Sequence, residues 1–157
     1  MAEPLAAGEQ PARSSHLGTG RYNSAVDSSL EQHIVDVCRA QPGVAAVYVF
    51  GSVASGTDRS DSDVDVAVLF DVAPPHRLNS PRFELAGELE RVLRRAVDLV
   101  VLNDAPPDLG SRVLHTGRLV LDANRSARIA FEVRTRNEAF DLEPILAAYR
   151  APRGSVA

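Results

Sequence analysis

Short apolar runs alternate with amphipathic segments along this chain and predict a mixture of strands and helices. Val44–Phe50 and Val64–Phe70 are almost wholly apolar. Runs of this kind, bounded by Gly, Pro or polar residues, are typical of buried strands, so we expect Val44–Phe50 in particular to be central in a sheet. Residues 97–102 predict a third strand, and residues 118–121 predict a short edge strand.

Apolar residues at helical spacing predict the intervening helices. Ser28 and Glu31 form a capping-box pattern, and Ser80 and Ser126 are expected to cap two later helices. Pro144 is expected to bend or split the last one. The predicted helices occupy residues 28–40, a segment that starts at 81, residues 109–116 and residues 127–149.

The length of the chain bounds its domain organisation. At 157 residues, of which 45% are apolar, the chain is expected to form one domain with a single core. We assign this domain to residues 26–150, a disordered tail to residues 1–25 and a flexible C-terminus to residues 151–157. No apolar run is long enough to span a membrane and no signal peptide is evident, so a cytoplasmic location without a membrane partner is expected.

Composition and charge exclude several classes of function. The net charge of −4 gives no general affinity for nucleic acid, so direct nucleic-acid binding is not expected. All 17 basic residues are Arg, which excludes a P-loop Lys and a Schiff-base Lys and leaves phosphate charge to Arg, metal and backbone N–H groups. The single cysteine, Cys38, excludes an internal disulfide and a thiolate metal cluster, and its place on a helical apolar face predicts a core role.

Two carboxylates stand at the start of the second apolar run. Asp63 and Asp65 alternate with valines, so their side chains point to one face of the strand with Cα atoms about 7 Å apart. Carboxylate oxygens are the ligands that Mg²⁺ prefers. Ten residues lie between the dipeptide Gly51-Ser52 and this pair. Gly51 lets a backbone approach a phosphate closely, and Ser52 adds a hydroxyl. The four residues predict a site for a metal-bound nucleoside triphosphate.

Asp98 is a third candidate carboxylate. If residues 97–102 lie beside the strand of Asp65, Asp98 joins the same site, and otherwise it is an exposed residue at the start of a strand. A solvated sheet face is the structural alternative for Asp63 and Asp65, although like charges on one face repel each other.

The arginines have two interpretations each. Arg59, in the loop before Asp63, either touches phosphate or is solvated. An arginine cluster near the end of the second helix either balances the helix dipole or contacts a ligand. A basic face of the last helix is either solvated or a docking surface for an acidic partner or for nucleotide phosphate. These two groups are Arg91, Arg94 and Arg95, and Arg125, Arg128, Arg134 and Arg136.

The spacing of the site residues resembles that of the DNA-polymerase-β-like nucleotidyltransferase superfamily. The matching residues are Gly51-Ser52, Asp63-Val64-Asp65 after ten residues, and Asp98 on a following strand. Residues 97–107, 115–120 and 140–146 resemble the minimal nucleotidyltransferase (MNT) antitoxins, which are encoded beside HEPN ribonuclease toxins. The resemblance covers about residues 28–150.

This resemblance implies a fold, a reaction and a role for each matching residue. The implied fold is α/β (α+β), a short mixed sheet flanked by helices. Gly51 and Ser52 would hold the β- and γ-phosphates of ATP. Asp63 and Asp65 would bind Mg²⁺, and Asp98 would complete the metal site and help to deprotonate the attacking hydroxyl. AMP would pass from ATP to a tyrosine of a partner HEPN RNase and block its activity.

Two other functions remain open at this level. A free-standing transferase could act on a small hydroxylated molecule such as an aminoglycoside, although that version usually needs a further substrate-binding domain. A non-enzymatic antitoxin could neutralise its partner by occlusion. That version predicts that Asp65→Asn leaves neutralisation intact, whereas catalytic neutralisation predicts that it is lost while binding survives.

Overall fold

Helices and strands alternate through nearly the whole described part of the chain. The computed structural model describes residues 24–57 and 62–150. The predicted tails lie outside these ranges, apart from residues 24 and 25, and stay predictions. The elements, in chain order, are α1 (Ser24–Ala40), β1 (Val44–Phe50), α2 (Gly51–Ser55), β2 (Val64–Phe70), α3 (Pro81–Leu93), β3 (Val97–Val101), α4 (Pro107–Thr116), β4 (Arg118–Asp122) and α5 (Arg125–Arg150).

The four strands form one mixed sheet in the order β3-β2-β1-β4. β1 pairs with β2 and with β4 in antiparallel fashion, and β2 pairs with β3 in parallel. Every residue of β1 is buried, which confirms its prediction as a central strand and explains its unbroken apolar sequence. The predicted mixed sheet with flanking helices is therefore confirmed.

Helices cover both faces of the sheet. On one face, Ile34 and Cys38 of α1 and Leu89 of α3 pack with the valines of β1 and β2. On the other face, Val113 of α4 and Phe131 of α5 pack with the alternate residues of the same strands. Burial of Cys38 confirms its core role and raises the pKa of its thiol to about 12.

A polar network fastens α5 to the sheet. The Tyr48 hydroxyl of β1 donates to Glu132 over 3.0 Å, and Arg128 donates to Glu132 over 2.6 Å and to Asp122 over 2.9 Å. Burial raises the pKa of Tyr48, and the bond to Glu132 acts in the same direction. Burial would also raise the pKa of Glu132, but the bonds from Arg128 and Tyr48 outweigh it and hold that pKa below its usual value.

Several predicted helix boundaries were wrong. Ser28 lies inside α1, which begins at Ser24. Residues 24–27 contain no Gly or Pro that would interrupt a helix. Ser126 lies inside α5, and the cap is Asn124, whose Oδ1 accepts from the N–H of Ala127 over 3.1 Å. Pro144 lies within α5 and does not split it, and the predicted bend stays a prediction.

Other boundaries differ by a few residues or hold as predicted. The segment after β1 begins with the short helix α2 rather than with a loop, and α4 starts two residues earlier than predicted. Ser80 does precede α3, with Pro81 in the first turn. No helix in the described part of the chain has an apolar stretch able to cross a bilayer.

Candidate active site

Asp65 and Asp98 are neighbours on adjacent strands. In the parallel pairing of β2 with β3, Asp65 is in register with Asp98. Val64 and Val66, on either side of Asp65, point into the core beneath α1 and α3, so alternation places Asp65 on the opposite face. Asp98 does lie beside the strand of Asp65, as the sequence hypothesis required. Asp63 is exposed and immediately precedes β2.

Gly51 brings the backbone directly against the Asp65 carboxylate. Phe50, the last residue of β1, pairs with Asp65, so the chain turns into α2 beside that side chain. Gly51 has φ of +66°, a conformation that favours glycine. A Cβ atom at this position would lie 2.0 Å from Asp65 Oδ2, a distance that no side chain could adopt. The turn therefore requires glycine for both its conformation and its space.

Unbalanced negative charge is concentrated at Asp65. Partial burial raises the pKa of Asp65, and the nearby charges of Asp98 and then Asp63 raise it further, while Arg112 acts in the opposite direction. Asp98 and Asp63 thus lie close enough for their charges to act on Asp65, as expected of like charges that share a site. A cation or a positively charged ligand group at this point would relieve their repulsion.

Arg112 is a nearby cation that the sequence interpretation did not single out. It is exposed on α4, next to the buried Val113, and its positive charge acts on Asp65. The end of α4 also packs on the end of β1, because a Cβ at Gly117 would lie 3.4 Å from Phe50 Cβ. The sequence offered one weak signal, since every cation in this chain is Arg and any phosphate-binding side-chain cation must therefore be one.

The segment before β2 is attached to the start of β3. Arg95 donates to the carbonyl oxygen of Ser62 from Nε over 3.0 Å and from Nη2 over 2.6 Å. Arg95 therefore has a structural partner in Ser62, and its predicted roles with the helix dipole or a ligand stay predictions. Arg59 lies outside the described residues, and its predicted contact with phosphate is not tested.

The other arginine groups have local partners. Arg91 pairs with Glu88 within α3, while Arg128 belongs to the network that fastens α5. Arg134 and Arg136 are exposed and pair with glutamates of their own helix. The predicted docking role of this basic face remains a hypothesis.

The donor set fits Mg²⁺ by chemistry. In residues 24–57 and 62–150, no three His, Cys, Asp or Glu side chains are already gathered so that they could hold a metal ion. Mg²⁺ does not need such a cage, because it is usually bound through one or two carboxylates together with substrate phosphates and water. Asp63, Asp65 and Asp98 supply carboxylates of this kind next to a turn where a phosphate could approach the backbone.

Comparison with known proteins gives a family match and a named relative. The family described as "Polymerase beta, Nucleotidyltransferase" matches residues 32–126. Protein adenylyltransferase MntA of Shewanella oneidensis is 37% identical over 89 residues, which cover 56% of this chain and 62% of MntA. The chain thus spans less than two thirds of the length of this relative.

Solved structures of toxin–antitoxin complexes contain chains of similar fold. One, a crystal structure of a toxin–antitoxin with AMP-PNP, matches with a TM-score of 0.66 and 30% identity over 76% of this chain and 94% of the other. A second contains a tri-AMPylated Shewanella oneidensis HEPN toxin in complex with the MNT antitoxin. It matches with a TM-score of 0.62 and 27% identity over 78% of this chain and 94% of the other.

Proposed function

This chain belongs to the polymerase β nucleotidyltransferase family, and we propose that it transfers AMP from ATP to a tyrosine hydroxyl of a HEPN-type RNase toxin and thereby neutralises it. The observation that carries the proposal is the contact between the Gly51 backbone and Asp65, with Asp98 in register beside it. A phosphate-binding turn and carboxylates at one point are what an in-line displacement at the α-phosphorus needs.

The residues have distinct roles in this proposal. Gly51 and Ser52 would hold the β- and γ-phosphates, since they form the turn that lies against the Asp65 carboxylate. Asp63 and Asp65 would hold Mg²⁺, which, when bound, supplies positive charge to the phosphates. Asp98 completes this set and accepts the proton of the attacking tyrosine hydroxyl. Arg112 would add a side-chain cation close to the same phosphates.

The proposed transfer is a displacement at the α-phosphorus of ATP. The hydroxyl oxygen of the acceptor tyrosine forms a bond to the α-phosphorus, and the bond from that phosphorus to the bridging oxygen of pyrophosphate breaks. The hydroxyl proton passes to the Asp98 carboxylate, and pyrophosphate leaves with the bonding electrons. The protein mainly positions these groups and neutralises their charge, which is how phosphoryl-type transfers are usually accelerated.

The relatives support a protein acceptor. MntA is named a protein adenylyltransferase, and the toxin in the second solved complex carries AMP groups. The described residues form one sheet with its covering helices, so a partner that brings its own surface would complete the acceptor side. We place the reaction in the cytoplasm, where ATP is available to both proteins.

The decisive experiment measures the intact mass of the partner. The chain is co-expressed with the product of its neighbouring toxin gene, and parallel samples carry Asp63→Asn or Asp65→Asn. We expect the partner to gain mass in steps of one AMP with the wild-type chain and none with either variant. We also expect both variants to co-purify with the unmodified partner and to lose neutralisation.

The alternatives predict different results, in this experiment for occlusion and in an assay without a partner for the small-molecule transferase. A partner that stays unmodified and is still neutralised by both variants would indicate occlusion. A chain that modifies a small hydroxylated molecule efficiently without any partner would indicate the small-molecule transferase instead. Either result would overturn the proposal.

A further inference from the structure

Asp63 differs from Asp65 in how the fold holds it. Asp65 lies inside β2, with strand partners on both sides, whereas β2 begins only at Val64 and Asp63 is exposed before it. The strand ladder therefore does not position Asp63. Its orientation depends on the residues on either side of it in the chain.

Both of those neighbours are bonded to one short connection. The N–H of Val64 donates to the carbonyl oxygen of Ala96 over 2.9 Å. The carbonyl oxygen of Ser62 accepts two bonds from the half-buried guanidinium of Arg95, over 3.0 and 2.6 Å. The segment between α3 and β3 thus grips the backbone immediately before and after Asp63.

The conformation at the end of α3 places Arg95 beside Ser62. Arg94 has φ of +52°, and no other non-glycine residue in the described ranges has a positive φ. This left-handed conformation ends α3, with the Arg94 N–H bonded to the carbonyl oxygen of Glu90, and turns the chain toward β3. Backbone strain at a non-glycine residue persists where the surroundings hold it, and such residues are common at functional sites.

We propose that Arg95 is a positioning residue that orients Asp63 toward the nucleotide-binding turn by holding the Ser62 carbonyl. This inference rests on the proposed function, because it assigns Asp63 to the metal and phosphate site. A guanidinium suits the task, since its planar fork directs two donors to one acceptor, whereas the single ammonium of Lys cannot reproduce that geometry.

The structure indicates which properties depend on this contact. Gly51 and Ser52 belong to α2 and Asp65 belongs to β2, so the turn that receives the nucleotide does not need Arg95. Asp63 does need it, because only its flanking residues are tied down. Loss of the contact should therefore weaken metal binding and slow the transfer more than it weakens ATP binding.

The test compares variants of the full chain. Arg95→Gln removes the fork, and Arg95→Lys keeps the charge. Arg91→Gln is the control, because Arg91 is exposed on α3 and pairs with Glu88. Mn²⁺ affinity in the presence of AMP-PNP is measured by electron paramagnetic resonance on the chain alone. The kcat and the KM for ATP are measured with the partner toxin.

For Arg95→Gln we expect Mn²⁺ affinity and kcat each to fall by about 10- to 100-fold, which is usual when a residue supporting a metal ligand is lost. The KM for ATP should change by less than about threefold, because ground-state binding is retained. Arg95→Lys should give intermediate values, and Arg91→Gln should match the wild-type chain.

Two results would overturn the inference. One is wild-type Mn²⁺ affinity in Arg95→Gln or, if that variant does not fold, in Arg95→Lys. The other is a loss of activity that only follows the folded fraction, with Mn²⁺ affinity of the folded protein unchanged. If the wild-type chain binds Mn²⁺ with AMP-PNP but modifies no partner, the proposed function fails, and the metal measurement still decides the role of Arg95.

Discussion

Among single residues, Gly51 has the least room for change. We predict that Gly51→Ala lowers the transfer rate by at least about 100-fold, because a misplacement of roughly 1 Å at the reacting groups is enough for such a loss. The added methyl group would collide with Asp65 Oδ2 and would also occupy a positive-φ position. Initial rates of AMP transfer, measured on folded protein, test this prediction.

Gly43 provides the matched control for that substitution. Its φ is +81°, yet a Cβ atom there would have no neighbour within 4 Å. Gly43→Ala should therefore cost about 1–2 kcal/mol of stability through backbone strain and leave the transfer rate near that of the wild-type chain. An equal loss of activity in both variants would mean that strain, and not the space beside Asp65, sets the requirement for glycine.

The ability of sequence to identify the site residues depended on how local their pattern was. Gly51 and Ser52, with Asp63 and Asp65 ten residues later, form a pattern that can be seen along the chain. Asp98 could be assigned only conditionally, because its role required a parallel pairing that no local signal specifies.

The charge effect of Arg112 and the bond of Arg95 to Ser62 could not be predicted from the sequence, for a related physical reason. Arg112 acts on Asp65 from a different helix, and Arg95 bonds to a residue 33 positions away. Contacts of this kind arise from packing and leave no periodic trace in the sequence.

Among the elements, strands were predicted more accurately than helix ends. An apolar run between polar residues fixes a buried strand, as at Val64–Phe70, which the structure reproduces without change. A helix end depends on which of several polar residues caps it. At the start of α5 the cap is Asn124 and not Ser126, and the side chain of Asn124 also donates to Asp71, which holds it in place. The five residues of α2 were too few to show helical periodicity.

The packing of α1 on the sheet should be sensitive to alkaline pH through Cys38. Burial raises the thiol pKa from 9.0 to about 12, so the folded state favours the neutral thiol. A raised folded-state pKa contributes stability that is complete below the unfolded value and is lost as pH rises from 9 toward 12. At pH 10.5 the wild-type chain should have lost about 2 kcal/mol from this group alone.

Cys38→Ala isolates this effect from other titrating groups. At pH 7 the variant should be less stable by about 1 kcal/mol, because a buried sulfur atom is removed. At pH 10.5 the order should reverse, since only the wild-type chain must keep a thiol protonated, while Tyr48 titrates alike in both proteins. Urea unfolding at the two pH values measures the difference, and parallel stability curves would contradict the prediction.

At the scale of the whole molecule, the sheet brings the site together and also concentrates its charge. The antiparallel pairing of β1 with β2 places Gly51 against Asp65, and the parallel pairing of β2 with β3 adds Asp98. Apolar cores on the two faces of the sheet stabilise both pairings. The fold therefore holds like charges together at a cost in stability that a bound cation and nucleotide would remove.

That cost predicts opposite effects of Asp65→Asn with and without ligand. Because the folded-state pKa of Asp65 is raised, its ionised form is unfavourable to folding at pH 7, and this penalty disappears only as pH falls through that pKa. In EDTA, Asp65→Asn should raise the free energy of unfolding by roughly 0.5–1 kcal/mol, the size expected for removing like charges from neighbouring strands. Urea unfolding measures this difference.

With Mg²⁺ and AMP-PNP the order of stability should invert. A ligand that binds only the folded state at 100 times its Kd adds about 2.7 kcal/mol of stability, and the wild-type chain should gain this while Asp65→Asn gains much less. A variant that is less stable than the wild-type chain in EDTA would mean that Asp65 supports the fold itself. Inversion would instead show that this carboxylate is kept at the expense of stability, because the ligand needs its charge.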